Sequence, residues 1–322
     1  MRRRWAALGA AIVLAGLARA EAPAVRTYAV ALRGTQAVVG RTDGLSILDV
    51  SNPRDPKELG AIDLDAAAEA LTLDGDLAYV AGGPHGLLVV ELGDPAQPRL
   101  IGRYDTPGHV RGVAVHGTWA FVADERQGLL VLDVRDPRHP QRAGSVPTRS
   151  ELRALALDGE RLVTAEGQAG ARLFDVARPD QPRELATLED SGGALDVAWV
   201  GGRPLVAAGR RGLLIYRVEQ GRPVRLGRTM ASPRSAQTLA VAAELVAVGN
   251  GPAGLQLLAV GDEVEELSRL RLPNSIAAGR VGLDGRLAFV AGDAAGLVIV
   301  DVSDPRHPEP LTVRERRLRV SG

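Results

Sequence analysis

Residues 128–137 read GLLVLDVRDP: a glycine, a run of strand-forming residues, an aspartate and an Asp-Pro turn. The same order recurs as GLSILDVSNP at 44–53 and as GLVIVDVSDP at 296–305. The glycine that opens it returns every 42 residues, at Gly44, Gly86, Gly128, Gly170, Gly212, Gly254 and Gly296. Leucine follows six of the seven, and Ala171 is the exception. A period of about 40–45 residues is that of a four-stranded propeller blade.

Each repeat contains four short strand signals, which we call strands A to D. In the third repeat they are residues 112–115, 119–122, 129–134 and 142–146, mostly β-branched or apolar and bounded by turn residues. No segment of helical length shows helical periodicity, which excludes βαβ units and a parallel sheet. The sequence therefore predicts an all-β, seven-bladed β-propeller made of seven 42-residue repeats of four antiparallel strands.

The turns support this assignment. Asp-Gly, which supplies the positive φ angles of a tight hairpin, lies between strands A and B at residues 74–75, 158–159 and 284–285. Asn-Pro or Asp-Pro lies between strands C and D at residues 52–53, 94–95, 136–137 and 304–305. An acid precedes the second turn in five repeats, at Asp49, Glu91, Asp133, Asp175 and Asp301. We expect these carboxylates to accept backbone N–H groups of the turn.

Strand A is predicted to be the innermost strand. One of its columns is small in nearly every repeat, as the crowding of seven strands around one axis requires: Val30, Thr72, Ala114, Ala156, Ala198, Ala240 and Gly282. The next column is apolar and should pack between blades: Ala31, Leu73, Val115, Leu157, Trp199, Val241 and Leu283. An extra strand from residues 22–26 or from residues 317–320 is a possible means of ring closure, and the sequence does not choose between them.

The first twenty residues are predicted to be a signal peptide cleaved after Ala20. Three arginines precede a 13-residue apolar stretch and the small-x-small sequence Ala18-Arg19-Ala20. This places the mature domain, residues 21–322, in the periplasm, outside the cell or on its surface. Cleavage removes four arginines and no acid, so the mature chain has 35 basic and 39 acidic residues. That balance does not favour nucleic acid as a partner, and no later segment reads as a membrane span.

The segment Leu297–Pro305 resembles the signature of the LVIVD-repeat β-propellers. Leu129–Pro137 and Leu45–Pro53 are close versions of it, and so are the preceding strands at residues 78–81, 120–123 and 288–291. The fifth and sixth repeats depart from the pattern, because Arg217 and Ala259 replace the aspartate. The resemblance implies a secreted or surface-exposed bacterial propeller of poorly defined function, and it brings no catalytic residues.

The residues themselves favour no catalytic or cofactor-binding class. No serine lies in a nucleophile elbow, no glycine-rich loop opens a helix, and cysteine is absent. Most aromatic residues fall in core columns, which leaves few to stack on a sugar, base or quinone. We predict no catalytic residue, no metal site and no cofactor.

Binding residues are expected on the face where the B–C and D–A loops emerge, because the B–C loops differ from repeat to repeat and propeller loops of one face usually carry function. The candidates are Glu69, His109, Arg111, Asp124, Arg126, Glu151 and Arg153.

Three functions remain open. The leading hypothesis is a non-enzymatic binding or scaffold module for a protein or polar ligand of the cell envelope, with Arg111 and Arg153 as anchors. The second is an enzyme resembling seven-bladed lactonases, which place acids, arginine and histidine at the channel mouth. The third is a surface component that self-associates. The sequence leaves the oligomeric state open.

Overall fold

The computed structural model describes residues 26–219, 222–229, 236–261, 263–273, 281–292 and 296–314. The predicted signal peptide and residues 317–320 lie outside the described residues. The prediction of fold class is confirmed: the chain forms seven antiparallel sheets of four strands, each built from consecutive strands. No helix in the described part of the chain is long and apolar enough to cross a membrane.

The 28 strands take four ring positions, and blades 1 to 7 follow chain order. The A strands are β1 (Thr27–Arg33), β5 (Ala70–Asp74), β9 (Val110–His116), β13 (Ala154–Asp158), β17 (Asp196–Val200), β21 (Thr238–Ala242) and β25 (Val281–Leu283). The B strands are β2 (Gln36–Arg41), β6 (Leu77–Ala81), β10 (Trp119–Asp124), β14 (Arg161–Ala165), β18 (Arg203–Ala207), β22 (Leu245–Gly249) and β26 (Leu287–Ala291). The C strands are β3 (Gly44–Asp49), β7 (Leu87–Glu91), β11 (Gly128–Asp133), β15 (Ala171–Asp175), β19 (Leu213–Glu219), β23 (Leu255–Val260) and β27 (Leu297–Asp301). The D strands are β4 (Lys57–Asp63), β8 (Arg99–Tyr104), β12 (Gln141–Val146), β16 (Arg183–Leu188), β20 (Arg222–Thr229), β24 (Val264–Leu270) and β28 (Glu309–Arg314).

The A strands surround the central axis, as predicted. An axial cavity of about 200 Å³ is lined by residues of all seven, among them Leu71, Val113 and Leu155. Neighbouring A strands approach closely at the column of small residues: a Cβ added to Gly282 of blade 7 would lie 3.0 Å from Val30 Cγ1 of blade 1. The next column of strand A, the apolar one, packs between blades. Leu73, for example, contacts the core shared by blades 1 and 2.

Two constraints explain the glycine at the start of each C strand: its backbone conformation and the lack of room for a Cβ atom. All seven have positive φ, from 76° to 90° in six of them and 151° at Gly44. A Cβ added to Gly86 would lie 2.1 Å from Tyr104 O, and one added to Gly254 would lie 2.2 Å from Leu270 O. Because the end of strand D occupies the space of a side chain, only glycine fits here.

A second series of small residues joins each blade to the next. Every D strand has a β-bulge at the same place, immediately before the residue that pairs with the middle of strand C. That residue is Gly102 in blade 2, and a Cβ there would lie 2.0 Å from Pro137 O in the C–D turn of blade 3. Ser268 takes the position in blade 6 and donates its hydroxyl to Pro305 O of blade 7 at 2.6 Å.

The same contact closes the ring. Thr312 takes this position in blade 7, and its hydroxyl donates to Arg54 O of blade 1 at 2.8 Å. On the inner side, Thr27 Oγ1 of blade 1 donates to Gly296 O of blade 7 at 2.8 Å. Of the predicted closing segment 22–26 only Arg26 is described, and its carbonyl accepts from Thr42 N of its own blade. Within the described residues, blades 1 and 7 therefore meet by side-by-side packing, as the other blades do.

The acidic column before the C–D turn is structural, as expected. Asp49, Asp175 and Asp301 accept the backbone N–H two residues later at 2.9–3.0 Å, and this hydrogen bond is the main cause that lowers the pKa of each carboxyl group. At Asp133 the Arg135 side chain is the larger cause of the lowered pKa, followed by the Arg135 backbone N–H. These carboxylates hold the turn and point to no cation site.

Candidate functional site

The candidate site lies on the face where the B–C loops and the D–A connections emerge. A cleft of about 600 Å³, the mouth cleft, opens on the axis there and is lined by Glu69, Arg111, Arg153, Leu195 and Gln237. These five residues stand 42 apart, each within one residue of the start of strand A in blades 2 to 6. They form a ring of side chains around the mouth.

Glycines in the B–C loops leave room for this ring. A Cβ added to Gly83 would lie 3.3 Å from Glu69 Oε1 and 3.1 Å from His109 Nε2, and one added to Gly251 would lie 2.8 Å from Gln237 Nε2. Gly167 lies under Arg153 and Gly209 under Leu195 in the same way. The side chains of the ring therefore rest on the loop of their own blade.

The B–C loops are more regular than the sequence analysis expected. In blades 2, 4, 5 and 6 the loop contains a glycine with φ between 50° and 57°, at Gly83, Gly167, Gly209 and Gly251. The four loops share the same backbone hydrogen bonds, so they differ in side chains and not in backbone path. The spacing of these glycines, which are 42 or 84 residues apart, is the sequence feature that could have predicted the shared backbone path.

Blade 3 has Glu125 at that position, and it completes a network of charges. His109 Nε2 lies 2.5 Å from Glu69 Oε1, and Arg111 Nη1 donates to Glu69 Oε2 at 3.1 Å. Arg111 Nε donates to Glu125 Oε1 at 2.5 Å. Partial burial lowers the pKa of Arg111, but the hydrogen bond to Glu125 and the charges of Glu69 and Glu125 outweigh it and raise the pKa overall. Arg111 is thus a fixed cation that two carboxylates already neutralise.

Arg153 is held more loosely. It donates through Nη2 to Glu151 Oε2 at 2.7 Å, and its buried Nε has no hydrogen-bond partner in the described structure. Arg153 and Leu195 line a second cleft of about 500 Å³ as well as the mouth cleft. This inter-blade cleft lies between blades 4 and 5, and Glu151, Gln168, Arg210 and Arg211 also line it.

The remaining two predicted residues lie elsewhere. Asp124 is fully buried, and its Oδ1 accepts the N–H groups of Arg126 and Gln127 at 2.8 and 2.6 Å, so it shapes the B–C loop and does not line either cleft. Arg126 is exposed and lines a separate cleft of about 470 Å³ with Arg142 and Arg149. The structure therefore brings Glu69, His109, Arg111, Glu151 and Arg153 to the mouth and its flank, and it separates Asp124 and Arg126 from them.

A buried ion pair in blade 4 was not predicted from the sequence. Glu166 and Arg172 are 1% and 4% exposed, and Arg172 Nε donates to Glu166 Oε1 at 2.5 Å. Glu166 Oε2 accepts Arg149 N at 3.0 Å, and Arg172 Nη2 donates to Pro147 O at 3.0 Å. The signal was a charged residue in an apolar column of strand C, where Leu130 and Leu214 stand in the neighbouring blades.

The donor set offers little to a metal ion. Among the described residues, no group of three or more His, Asp or Glu side chains is arranged to hold one. The chemistry of this face is that of guanidinium, carboxylate and imidazole groups, which bind polar and charged ligands directly.

Comparison with known proteins agrees with the repeat. The family profile described as the LVIVD repeat matches residues 26–63, 66–106, 107–148 and 277–310, which correspond to blades 1, 2, 3 and 7. Blades 4, 5 and 6 have the same four-stranded sheets without a match. No protein of curated function matches the chain in sequence.

Solved structures with the same fold are diverse. The computationally designed protein Ika8 is 14% identical with a TM-score of 0.69, over 92% of this chain and 89% of that one. A catalytically inactive virginiamycin B lyase from Staphylococcus aureus, solved with quinupristin, is 11% identical with a TM-score of 0.67, over 85% and 94%. PorZ, a surface component of the type-IX secretion system of Porphyromonas gingivalis, is 13% identical with a TM-score of 0.64, over 92% of this chain and 39% of PorZ. At these identities the likeness extends to the fold alone.

Proposed function

Since the chain is a seven-bladed β-propeller with LVIVD repeats, we propose that it is a non-enzymatic binding module of the cell envelope. It recognises a protein or polar ligand on the face of the B–C loops and D–A connections. The single observation that carries this proposal is that two clefts adjoin on that face and share Arg153 and Leu195. Together they form a polar surface that runs from the axis to the junction of blades 4 and 5.

Three features support binding on this face. The two clefts, of about 600 and 500 Å³, have the size of small-molecule or side-chain binding pockets. Repeated backbone turns hold the variable side chains, so the scaffold is rigid while the recognition surface differs from blade to blade. The opposite face, by contrast, presents Asp-Gly and Asp-Pro turns, and Asp94, Asp136, Asp284 and Asp304 accept backbone N–H groups of these turns. The N-terminal sequence, with its arginines, apolar stretch and cleavage site, supports a location outside the cytoplasm.

The test is a crosslinked pull-down from the native cell envelope with residues 21–322 as bait. The site variant replaces Glu69, Arg111, Glu151 and Arg153 by Ala. The matched control replaces two acids and two arginines on the opposite face, Asp55, Asp76, Arg138 and Arg178, by Ala; all four are exposed. We expect a partner that wild type and the control capture and that the site variant loses. Equal capture by both variants, or no capture by wild type, contradicts the proposal.

One contact favours a second function, a lactonase-like enzyme. The pair formed by His109 Nε2 and Glu69 Oε1, 2.5 Å apart and next to Arg111, is a candidate acid–base group at the channel mouth. If this function holds, wild type turns over members of a lactone panel and His109→Ala lowers kcat/KM by about 100-fold or more. The opposite-face control keeps the wild-type rate. A silent panel, or turnover that His109→Ala leaves unchanged, removes the enzyme from consideration.

A further inference from the structure

The inter-blade cleft has the composition of an anion site. Three arginines, Arg153, Arg210 and Arg211, line it together with a single acid, Glu151. Ser150 and Gln168 add a hydroxyl and an amide to the lining. The network at the mouth is different, because there Glu69 and Glu125 both contact Arg111. Arginines therefore outnumber acids in the lining of the cleft, whereas two carboxylates contact the single Arg111 at the mouth.

Two of the guanidinium groups in the cleft, those of Arg153 and Arg210, keep hydrogen-bond donors available. Arg153 makes one contact with a carboxylate, through Nη2, and its buried Nε has no acceptor in the described structure. Arg210 is exposed at the tip of the blade 5 loop, and its side chain has no partner among the described residues. Arg211 is held at the wall of the cleft, where its Nη1 donates to Asp190 O at 2.9 Å. The Arg153 side chain is 40% exposed, so its outer N–H groups can donate to a ligand oxygen in the cleft.

Glycines make room for these groups. A Cβ added to Gly192 would lie 3.2 Å from Arg211 Nη1, and one added to Gly167 would lie 3.5 Å from Arg153 Nε. Gly167 and Gly209 also have positive φ, at 50° and 53°, so the two loop turns that flank the cleft keep a path that other residues rarely adopt. The backbone of these glycines thus forms part of the wall of the cleft, and the arginines line a space of about 500 Å³.

From this arrangement we propose that the inter-blade cleft binds an anionic group, a phosphate or carboxylate, of a small ligand, with Arg153 and Arg210 as the principal contacts. Guanidinium groups match the oxygens of both anions with paired N–H donors. The proposal rests on the proposed function, since it names the ligand chemistry of part of the same face.

The experiment titrates full-length mature protein with inorganic phosphate and, separately, with citrate, in a buffer of low ionic strength. Isothermal titration calorimetry measures the dissociation constant, and thermal unfolding provides the second readout. We expect a dissociation constant on the order of 1 mM for the better probe. Arg153→Ala and Arg210→Ala should each weaken binding about tenfold. The stronger of the two probes shows whether the site prefers a phosphate or a carboxylate.

Two further variants sharpen the test. Glu151→Gln removes the acid that holds Arg153, and we expect it to strengthen binding about threefold. Arg178→Ala removes an exposed arginine from the opposite face and should leave binding unchanged. Arg210→Ala tests the site with little risk to the fold, because that side chain is exposed and makes no hydrogen bond or ion pair within the described residues.

Failure of this inference is distinct from failure of the proposed function. No binding of either probe at about 20 mM, or binding that Arg153→Ala and Arg210→Ala leave intact, overturns the anion site. If the pull-down still depends on the site face in that case, the binding module stands without an anion site. If the probes bind as expected but no envelope partner is captured, the anion-site proposal is supported and the proposal of an envelope partner is contradicted.

Discussion

Gly86→Ala is expected to lower the free energy of unfolding by about 3 kcal/mol. Gly86 has φ of 76°, where an alanine costs about 1–2 kcal/mol by itself. A Cβ at this residue would also lie 2.1 Å from Tyr104 O and 3.0 Å from Thr106 N. These are backbone atoms at the end of strand D, so relief requires the sheet of blade 2 to move.

Two other glycines of blade 2 serve as controls that separate the conformational cost of Gly86→Ala from its steric cost. Gly75 has φ of 56° with no atom within 4 Å of an added Cβ, so Gly75→Ala pays only for conformation, about 1 kcal/mol. Gly93 lacks both features, and Gly93→Ala should stay within about 0.5 kcal/mol of wild type. Denaturant unfolding with an unchanged m-value measures all three. If Gly86→Ala costs no more than Gly75→Ala, the close approach to strand D does not explain the repeat.

This glycine column shows what the sequence could and could not predict of the fold. Spacing alone identified seven repeats, and period-2 alternation identified the inner strand, because a repeated fold presents each position seven times. The reason for the glycine, a carbonyl oxygen from strand D, depends on a pairing between distant residues that spacing does not show. Gly60, Gly102 and Gly144 of the D strands also stand 42 residues apart, but their close approach to the C–D turn of the next blade depends on packing that spacing does not show.

The candidate functional site could likewise be predicted only in part from the sequence. Antiparallel topology places the B–C and D–A loops on one face, which is enough to bring Glu69, Arg111 and Arg153 to the mouth. Which acid contacts which arginine depends on side-chain conformation, so the pairing of Arg111 with Glu125 could not be predicted. Asp124 was assigned to the binding surface because it is charged and in a loop, yet its short side chain turns inward and accepts the N–H groups of Arg126 and Gln127.

Arg172→Met is expected to lower the free energy of unfolding by about 3–5 kcal/mol. The change leaves Glu166, 1% exposed, without the guanidinium that contacts its Oε1 at 2.5 Å. Breaking one side of a buried pair is costly because the remaining charge stays out of water. Arg172 also lies 4.9 Å over the Phe174 ring and donates to Glu184 at 2.9 Å, and both contacts are lost.

An exposed arginine of the same blade is the control. Arg183 pairs with Asp175 at 2.9 Å but is 71% exposed, so Arg183→Met should cost no more than about 1 kcal/mol. The double variant Glu166→Gln/Arg172→Met should recover a large part of the loss, because it removes the uncompensated charge. Denaturant unfolding of the four proteins measures this. A double variant as unstable as Arg172→Met assigns the loss to packing and not to charge.

Arg172→Met should also affect ligand binding on the face of the B–C loops and D–A connections. Glu166 accepts Arg149 N and Arg172 donates to Pro147 O, so the ion pair holds the start of the connection that carries Glu151 and Arg153. Arg172→Met therefore releases the loop on which one principal anion contact stands. Phosphate binding should weaken several-fold in Arg172→Met and stay unchanged in Arg183→Met, both measured by calorimetry well below the unfolding temperature. Unchanged binding in a folded Arg172→Met protein means that Arg153 is positioned by its own blade and not by the buried pair.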